Sequence, residues 1–132
     1  MGTRHLICAI SDDEYRIAQY GQWDGYPEGQ GAAILEFLKS PMVEQLRKNL
    51  ERCSWITNDE YHKLWEEFGV DTTQPYVDCD MYQKFYEKYP QLSRDTGAKI
   101  LKIAAGATGE MKLQNSLDFS QDSLFCEWAY VI

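Results

Sequence analysis

The chain has 132 residues, of which 44% are hydrophobic, 26% charged and 14% aromatic. This composition excludes a collagen, a low-complexity tail and a disulfide-dense toxin, and no apolar run reaches the ~18 residues of a membrane-spanning helix. The 21 acidic and 13 basic residues give a net charge of −8, so the field of the protein repels phosphate backbones, and neither nucleic acid nor a membrane is an expected partner. The length predicts a single domain over residues 1–132.

The first third of the chain predicts a β-hairpin followed by a helix. The segment from His5 to Ile10 is apolar and β-prone, Ser11-Asp12-Asp13 is a turn cluster, and the segment from Glu14 to Trp23 alternates as a second strand. Three glycines and a proline between Asp24 and Gly31 end this strand. A helix over Ala32–Lys39 is predicted next.

The rest of the chain predicts four more helices and a last strand. Ser40 with Pro41 is a helix-start signal, and Thr57 with Glu60 fits a capping box. The predicted elements are a helix over 41–53, a helix from Thr57 to Gly69, a helix from Asp78 to Tyr89, a helix from Arg94 to about Ala105, and a strand from Ser123 to Ile132.

This order of elements predicts an α+β fold. We expect an antiparallel sheet of at least three strands, built from the N-terminal hairpin and the C-terminal strand, with four to five helices between them that pack on one face. The C-terminal strand is expected to pair with the hairpin, because an isolated hairpin is only marginally stable. The pattern makes no prediction of oligomeric state.

The cysteine spacing bears on metal and redox chemistry. The four cysteines are Cys8, Cys53, Cys79 and Cys126. They lie too far apart in sequence for a CxxC knuckle or redox pair, so no metal site and no cofactor are predicted. The N-terminus lacks the apolar segment of a signal peptide, and we therefore expect reduced thiols in a cytoplasmic protein. His5 and Cys8 are three residues apart on a strand and so on opposite faces, which prevents a direct nucleophile–base pair.

The turn from Trp23 to Gly31 is the local feature with functional character. Its glycines would let the backbone approach a ligand closely, and the helix start behind it would offer free N–H groups to an anion. It is neither a P-loop nor a dinucleotide fingerprint. The alternative interpretation is a tight crossover in which the glycines adopt positive φ.

The opening Met1-Gly2-Thr3-Arg4 and the stretch from Gln22 to Gly31 resemble a family of uncharacterised small proteins of phages, prophages and other microbes. Members of this family start MGTR and carry a DGYPxGxG loop. The segments from Leu92 to Gly97 and from Leu124 to Ile132 resemble two further family stretches. Members continue beyond the last strand, so the resemblance implies a shortened copy here, and it implies no particular activity.

The resemblance also implies that Arg4, the Trp23–Gly31 turn and Arg94-Asp95 cluster at one end of the sheet. We expect a pocket there, because arginine beside Trp and Tyr rings suits a base together with a phosphate. The predicted ligand-binding residues are Arg4, Tyr20, Gln22, Trp23, Asp24, Gly25, Tyr26, Gly29, Gly31, Arg94 and Asp95.

Three functions are consistent with these patterns. The first is a non-catalytic binding protein of viral or mobile-element type, which holds a small polar or nucleotide-like ligand or a protein partner. The second is an acidic inhibitor or nucleic-acid mimic, in which residues 57–90, with eight acids against three lysines, face a basic protein partner. The third is a cysteine- or carboxylate-dependent hydrolase that uses Cys8 or Cys126, or Asp24, with His5.

Overall fold

A computed structural model describes residues 2–71, 73 and 78–132 of the chain. Its regular elements are, in chain order, β1 (His5–Ser11), β2 (Glu14–Gly21), α1 (Ala32–Leu38), α2 (Met42–Asn49), β3 (Cys53–Trp55), α3 (Asn58–Glu67), α4 (Cys79–Lys88), α5 (Lys99–Ala105), β4 (Met111–Leu113) and β5 (Trp128–Val131). A π-helical turn over Pro27–Gly31 leads into α1, and short 3₁₀ turns cover Leu50–Arg52, Pro90–Leu92 and Leu117–Gln121. The predicted α+β class with four to five helices is confirmed in this part of the chain, which has five.

The predicted hairpin is formed by β1 and β2, which pair antiparallel from His5 opposite Gly21 to Ser11 opposite Glu14. Asp12 and Asp13 make the two-residue turn, with φ of 53° and 62°. Positive φ at both central positions matches the right-handed twist of the strands, and Asp tolerates this conformation better than most residues.

The third strand of the sheet corrects the prediction of an antiparallel sheet. The strand order is β2-β1-β5, and β5 runs parallel to β1 with Trp128 beside His5 and Val131 beside Cys8. The chain re-enters the sheet at the start of β1, where the N–H of Glu127 donates to the carbonyl of Arg4. A parallel pair needs a long crossover connection, and the helices between β1 and β5 supply one.

Three predicted boundaries are also wrong. The helix predicted over 41–53 ends at Asn49, and Cys53 begins β3, which pairs parallel with β4 in a second, two-stranded sheet. The helix predicted from Arg94 begins only at Lys99, because Gly97 has φ of +57° and interrupts the helical backbone. The predicted strand from Ser123 is regular only over β5.

The main core lies on one face of the sheet. Ile7, Ala9 and Ile17 of the hairpin pack there with residues of α1, α2 and α5. The opposite face is not open to solvent, because Leu6, Cys8 and Ala18 pack beneath Leu117, Phe119 and Cys126. The helices on the first face agree with the prediction, and the 3₁₀ turn over Leu117–Gln121 is the cover that the sequence pattern did not indicate.

A separate aromatic core joins α3 and α4. The capping box predicted at Thr57 is present, with the Thr57 hydroxyl accepting from the N–H of Glu60 and the Glu60 carboxylate accepting from the N–H of Thr57. The rings of Trp65 and Phe85 stack with centroids 3.6 Å apart. Phe85 is fully buried, so this pair fixes the two helices against each other.

Candidate functional site: a tyrosine-lined cleft

The glycines of the Trp23–Gly31 turn are occupied by contacts within the chain. A Cβ on Gly25 would lie 2.6 Å from the Thr3 carbonyl oxygen and 2.8 Å from the Cβ of His5. A Cβ on Gly29 would lie 2.4 Å from the carbonyl oxygen of Asp24. At these two positions the close approach that glycine allows is therefore used for packing within the chain. The left-handed backbone expected of the glycines belongs instead to Asp24, with φ of 55°.

The backbone amides of this turn are also used internally. The N–H of Gly29 donates to the carbonyl of Tyr26, and the N–H of Gln30 donates to the carbonyl of Asp24 at 2.7 Å. The π-helical turn continues directly into α1, so the start of α1 follows a hydrogen-bonded turn. The amides of Gly29 and Gln30 thus have acceptors already, which removes the physical basis for the predicted anion site.

Side chains complete the internal bonding of the turn. The Tyr26 hydroxyl donates to the Asp24 carboxylate, and the Tyr130 hydroxyl donates to the Gly25 carbonyl at 2.6 Å. Gly31 lies against the ring of Tyr130, since a Cβ on Gly31 would be 3.1 Å from the nearest atoms of that side chain. Gln22 is half-buried, and its carbonyl faces Gly2 so closely that a Cβ there would lie 1.9 Å away.

His5 lies at the centre of this packing and is fully buried. Burial lowers the pKa of its imidazole below the ordinary 6.5, and the Thr3 backbone and the Asp24 carboxylate offset this only in part. Neither ring nitrogen has a hydrogen-bond partner with good geometry among the described residues. The ring also lies against Gly21, where a Cβ would be 2.1 Å away. Gly21 and Gly25 therefore leave room for the His5 side chain, because a Cβ at either position would overlap it.

Arg4 and Arg94 are held by different parts of the molecule. The Arg4 guanidinium lies over the ring of Phe125, 5.1 Å from its centroid. The backbone N–H of Arg4 donates to the Glu127 carboxylate. Arg94 lies instead beside a cleft on the other side of the hairpin's second strand, which Arg4 does not line. The predicted pairing of two arginines in one pocket is thus not found in the described cleft.

The turn nevertheless reaches the Arg94 segment. The Trp23 indole N–H donates to the Asp95 carboxylate at 3.0 Å. The Gln30 side chain bridges the same gap, because its amide N–H₂ donates to the Trp23 carbonyl and its oxygen accepts from the N–H of Ala98. These bonds attach the turn to the chain just beyond Arg94.

The cleft beside Arg94 has a volume of about 180 Å³. It is assembled from β2, α3, α4, the 3₁₀ turn after α4 and the segment after β4. Its lining residues are Gln19, Tyr20, Tyr61, Tyr82, Tyr86, Leu92, Arg94, Gln114 and Ser116. The lining thus combines four phenols, two amides and one hydroxyl with a single cation and no carboxylate.

The tyrosines form a connected group. The hydroxyls of Tyr61 and Tyr86 lie 2.5 Å apart, and the rings of Tyr82 and Tyr86 meet edge to face with centroids 4.8 Å apart. Burial and the hydrogen bond to Tyr61 raise the pKa of Tyr86 well above its ordinary value, while the charge of Arg94 acts in the opposite direction. The phenol of Tyr86 therefore stays neutral near pH 7 and can donate a hydrogen bond.

Arg94 is the positive charge of the cleft. Its side chain is exposed, and it has no ion-pair partner within the part of the chain that the structure describes. Gln19 is held in place beside it, since its amide N–H₂ donates to the Ser93 carbonyl at 2.7 Å. Tyr20 is braced from behind by an edge-to-face contact with Phe119.

Two of the eleven predicted site residues, Tyr20 and Arg94, line the cleft. Two more, Trp23 and Asp95, are joined by a hydrogen bond next to it, because Asp95 directly follows Arg94. The other predicted residues lie in the packed turn or, for Arg4, beside Phe125. The sequence analysis did not select Tyr61, Tyr82 and Tyr86, whose helical spacing is typical of a buried helix face. The available signal was the phenol itself, because a buried tyrosine hydroxyl needs a hydrogen-bond partner.

The cysteine form of the hydrolase interpretation needs a thiol beside His5, and Cys8 is not placed there. His5 and Cys8 lie on opposite faces of β1, and Cys8 packs in the small core with Leu117, Phe119 and Cys126. Burial raises the pKa of both Cys8 and Cys126, which disfavours the reactive thiolate. All four thiols are free.

The acidic region over residues 57–90 is largely solvent-facing along α3 and α4. Glu60 is an exception, because its carboxylate caps α3 and lies 3.6 Å from the ammonium of Lys112. Part of the acidic charge is therefore balanced within the chain.

Comparison with protein-family models, with curated proteins and with solved structures gives no match for this chain. Among the described residues, no cluster of three His, Cys, Asp or Glu side chains could hold a metal ion. None of the described helices is both long and apolar enough to cross a bilayer.

Proposed function

We propose that this protein is a non-catalytic binding protein whose tyrosine-lined cleft holds one small ligand that carries a ring and an anionic group, as a nucleotide-like molecule does. The proposal keeps the viral or mobile-element origin that the family resemblance implies, and a cytoplasmic location. The observation that carries it is the cleft lining: one arginine with no ion pair among the described residues, four tyrosines and no acidic side chain.

Each part of the lining has a role in this proposal. The Arg94 guanidinium offers a planar fork of donors that matches a phosphate or carboxylate in two parallel hydrogen bonds. Tyrosine rings offer flat surfaces on which a base or sugar ring stacks, worth about 1–3 kcal/mol per base in single-strand binding proteins. Gln114 and Ser116 supply hydrogen-bonding groups for the ring edge.

The size of the cleft limits the ligand. Pockets for drug-sized molecules usually have about 300–1,000 Å³, whereas this cleft has about 180 Å³. A single ring with its charged group fits this volume, and a dinucleotide does not. The net charge of −8 acts in the same direction, because it opposes long polyanions far more than a small anion that reaches one arginine.

A thermal-shift assay tests this function with a panel of nucleoside monophosphates, nucleosides and sugar phosphates. A ligand that binds only the folded chain stabilises it by about 2.7 kcal/mol at 100 times its Kd, so the Tm rises by several degrees. We expect monophosphates to raise the Tm and their uncharged nucleosides to do so less.

Variants show whether the cleft is the site. Arg94→Ala should weaken binding by about tenfold or more, because a hydrogen bond to a charged group contributes about 1.5–3 kcal/mol. Arg47→Ala is the matched control, since Arg47 is an exposed arginine of α2 whose neighbour is Glu44. The proposal fails if no member of the panel shifts the Tm, or if Arg94→Ala and Arg47→Ala bind equally well.

A further inference from the structure

The outer edge of β2 borders the tyrosine-lined cleft. β2 is an outer strand of the main sheet, whose order is β2-β1-β5. Beyond it runs the segment after β4, where Asn115 pairs with Ala18 and the N–H of Ser116 donates to the Ala18 carbonyl. Ser116 and Tyr20 both line the cleft. The cleft therefore opens along the hydrogen-bonding edge of β2.

The backbone of Tyr20 faces this outer side. In an antiparallel pair, the N–H and C=O groups of successive residues point alternately toward the partner strand and away from it. The Ala18 carbonyl bonds on the outer side, so the backbone groups of Tyr20 also point away from β1. Neither group has a partner within the part of the chain that the structure describes. Tyr20 thus presents one backbone donor beside one backbone acceptor at the cleft.

This free edge is one residue long. Ala18 on one side is occupied by Ser116, and the carbonyl of Gln22 on the other side lies against Gly2. A peptide that adds to a sheet pairs along several residues, so the edge does not suit a peptide strand. One donor beside one acceptor matches instead the edge of a single heterocycle, in which an N–H lies next to a carbonyl oxygen or a ring nitrogen.

We propose that the ligand is a pyrimidine nucleotide, whose base edge pairs with the Tyr20 backbone while its phosphate binds Arg94. This inference rests on the function proposed above and adds the class of base that the cleft recognises. In uracil, N3–H would donate to the Tyr20 carbonyl and a ring carbonyl would accept from the Tyr20 N–H. In cytosine, the amino group would donate and N3 would accept. The volume of about 180 Å³ favours these single rings over a purine.

Isothermal titration calorimetry of the full chain with UMP, CMP and AMP tests the class of base. We expect UMP or CMP to bind several-fold more tightly than AMP, because adenine offers a similar edge but carries a second, fused ring. The tighter of the two pyrimidine nucleotides identifies the base. Tighter binding of AMP than of both would overturn the pyrimidine assignment.

Methylated forms of the tighter nucleotide test the pairing itself. A methyl group on N3 blocks the edge that faces Tyr20, whereas a methyl group on C5 adds the same volume at another edge of the ring. The N3-methyl form should bind at least about tenfold more weakly, since the site's polar groups then lose their partners. The C5-methyl form should bind about as well as the parent nucleotide.

Two variants of Tyr20 separate its backbone from its ring. Tyr20→Pro and Tyr20→Ala both remove the phenol, but only proline removes the backbone N–H. Proline is tolerated on an edge strand where the N–H points outward. Tyr20→Pro should therefore bind about fivefold or more weakly than Tyr20→Ala, and N3-methylation should weaken its binding less. Urea unfolding verifies that both variants are folded, and if Tyr20→Pro is not, the methylated nucleotides decide alone.

The outcomes separate this inference from the proposed function. If nucleotides bind in an Arg94-dependent manner but the N3-methyl and C5-methyl forms bind alike, the pairing with Tyr20 is wrong and the general function stands. Equal binding by folded Tyr20→Pro and Tyr20→Ala overturns the pairing in the same way. If no monophosphate binds the parent chain, the proposed function and this inference both fail.

Discussion

The Trp23–Gly31 turn and the tyrosine cleft differ in how their residues are arranged in sequence and in what those residues do. The turn concentrates glycines, aromatics and acids within nine positions, yet its glycines and amides contact the chain itself. The cleft collects its lining from five separate segments and keeps an open volume beside an arginine. The dense local motif thus serves close packing of the backbone within the turn. The surface able to bind a ligand is formed instead by residues far apart in sequence.

The two regions also treat titratable groups differently. The turn encloses His5 in a space that disfavours its charge, whereas the cleft leaves Arg94 exposed and charged. A substitution in the turn should therefore act on folding, and one in the cleft on binding. The following experiments separate these two effects.

The largest expected effect belongs to Gly25→Ala. The added methyl would lie within 2.6–2.8 Å of Thr3 and His5, so backbone must move, and overpacking of this kind costs about 3 kcal/mol. Urea unfolding measures the loss. Gly109→Ala is the control, because nothing lies within 4 Å of its Cβ position, and it should change the free energy of unfolding by less than about 0.5 kcal/mol. Equal losses for the two variants would contradict the tight packing of the turn.

The buried imidazole predicts a pH dependence of stability. Burial lowers the folded-state pKa of His5, so the unfolded chain takes up its proton first as the pH falls through 6.5. Stability contributed by neutral His5 is complete above this pH and decreases below it, by at most about 1.4 kcal/mol per pH unit for one proton. Urea titrations between pH 7.5 and 5.5 measure the slope.

Two histidine variants assign this slope. His5→Gln should remove it, whatever its effect on stability at pH 7.5. His62→Gln, at an exposed position of α3, should keep it. If both variants retain the parent slope, the source is not His5.

The bond between Trp23 and Asp95 predicts a coupling between the two regions of about 1 kcal/mol. A double-mutant cycle with Trp23→Phe and Asp95→Ala measures it by urea unfolding. A control cycle with Trp23→Phe and Asp118→Ala should give no coupling, because Asp118 is an exposed carboxylate on another segment. A value near zero in both cycles would mean that the turn does not support the Arg94 segment.

The smallest effect is expected for Tyr61→Phe. Loss of one half-buried bond between neutral hydroxyls should cost about 0.5 kcal/mol. Urea unfolding measures the loss, with Tyr15→Phe on the exposed start of β2 as control. An unchanged free energy of unfolding for Tyr61→Phe would exclude a stabilising hydroxyl pair.

Features set by neighbouring residues were predictable from the sequence. The polar turn of the hairpin, the Thr57 capping box and the helix over α4 follow from local signals, and all are present, although Ser11 of the predicted turn belongs to β1. The direction of β5 was not predictable, because an alternating pattern is the same in a parallel and an antiparallel pair. The late start of α5 follows from the positive φ of Gly97, beside which the Ala98 N–H donates to Gln30, a residue distant in sequence.

The site was predictable only in part for a related reason. Arg94 and Tyr20 were selected as polar and aromatic residues beside motifs, and both line the cleft. Tyr82 and Tyr86 follow helical spacing, which indicates a buried face but does not show that the hydroxyls end at an opening. Which ring edges stay accessible depends on how α3 and α4 pack around Phe85, and only three-dimensional structure gives this.

Asn49 illustrates how a single amide can limit what the chain tolerates. It is buried at the end of α2, and its N–H₂ donates to the carbonyls of Ala104, Ala105 and Ala107 at the end of α5. An apolar residue of equal size would leave these oxygens facing hydrocarbon, and an aspartate would oppose them with negative charge. Position 49 must therefore remain a hydrogen-bond donor as long as α5 ends where it does. A substitution at the end of α2 is then tolerated only if it still provides a donor for the last carbonyls of α5.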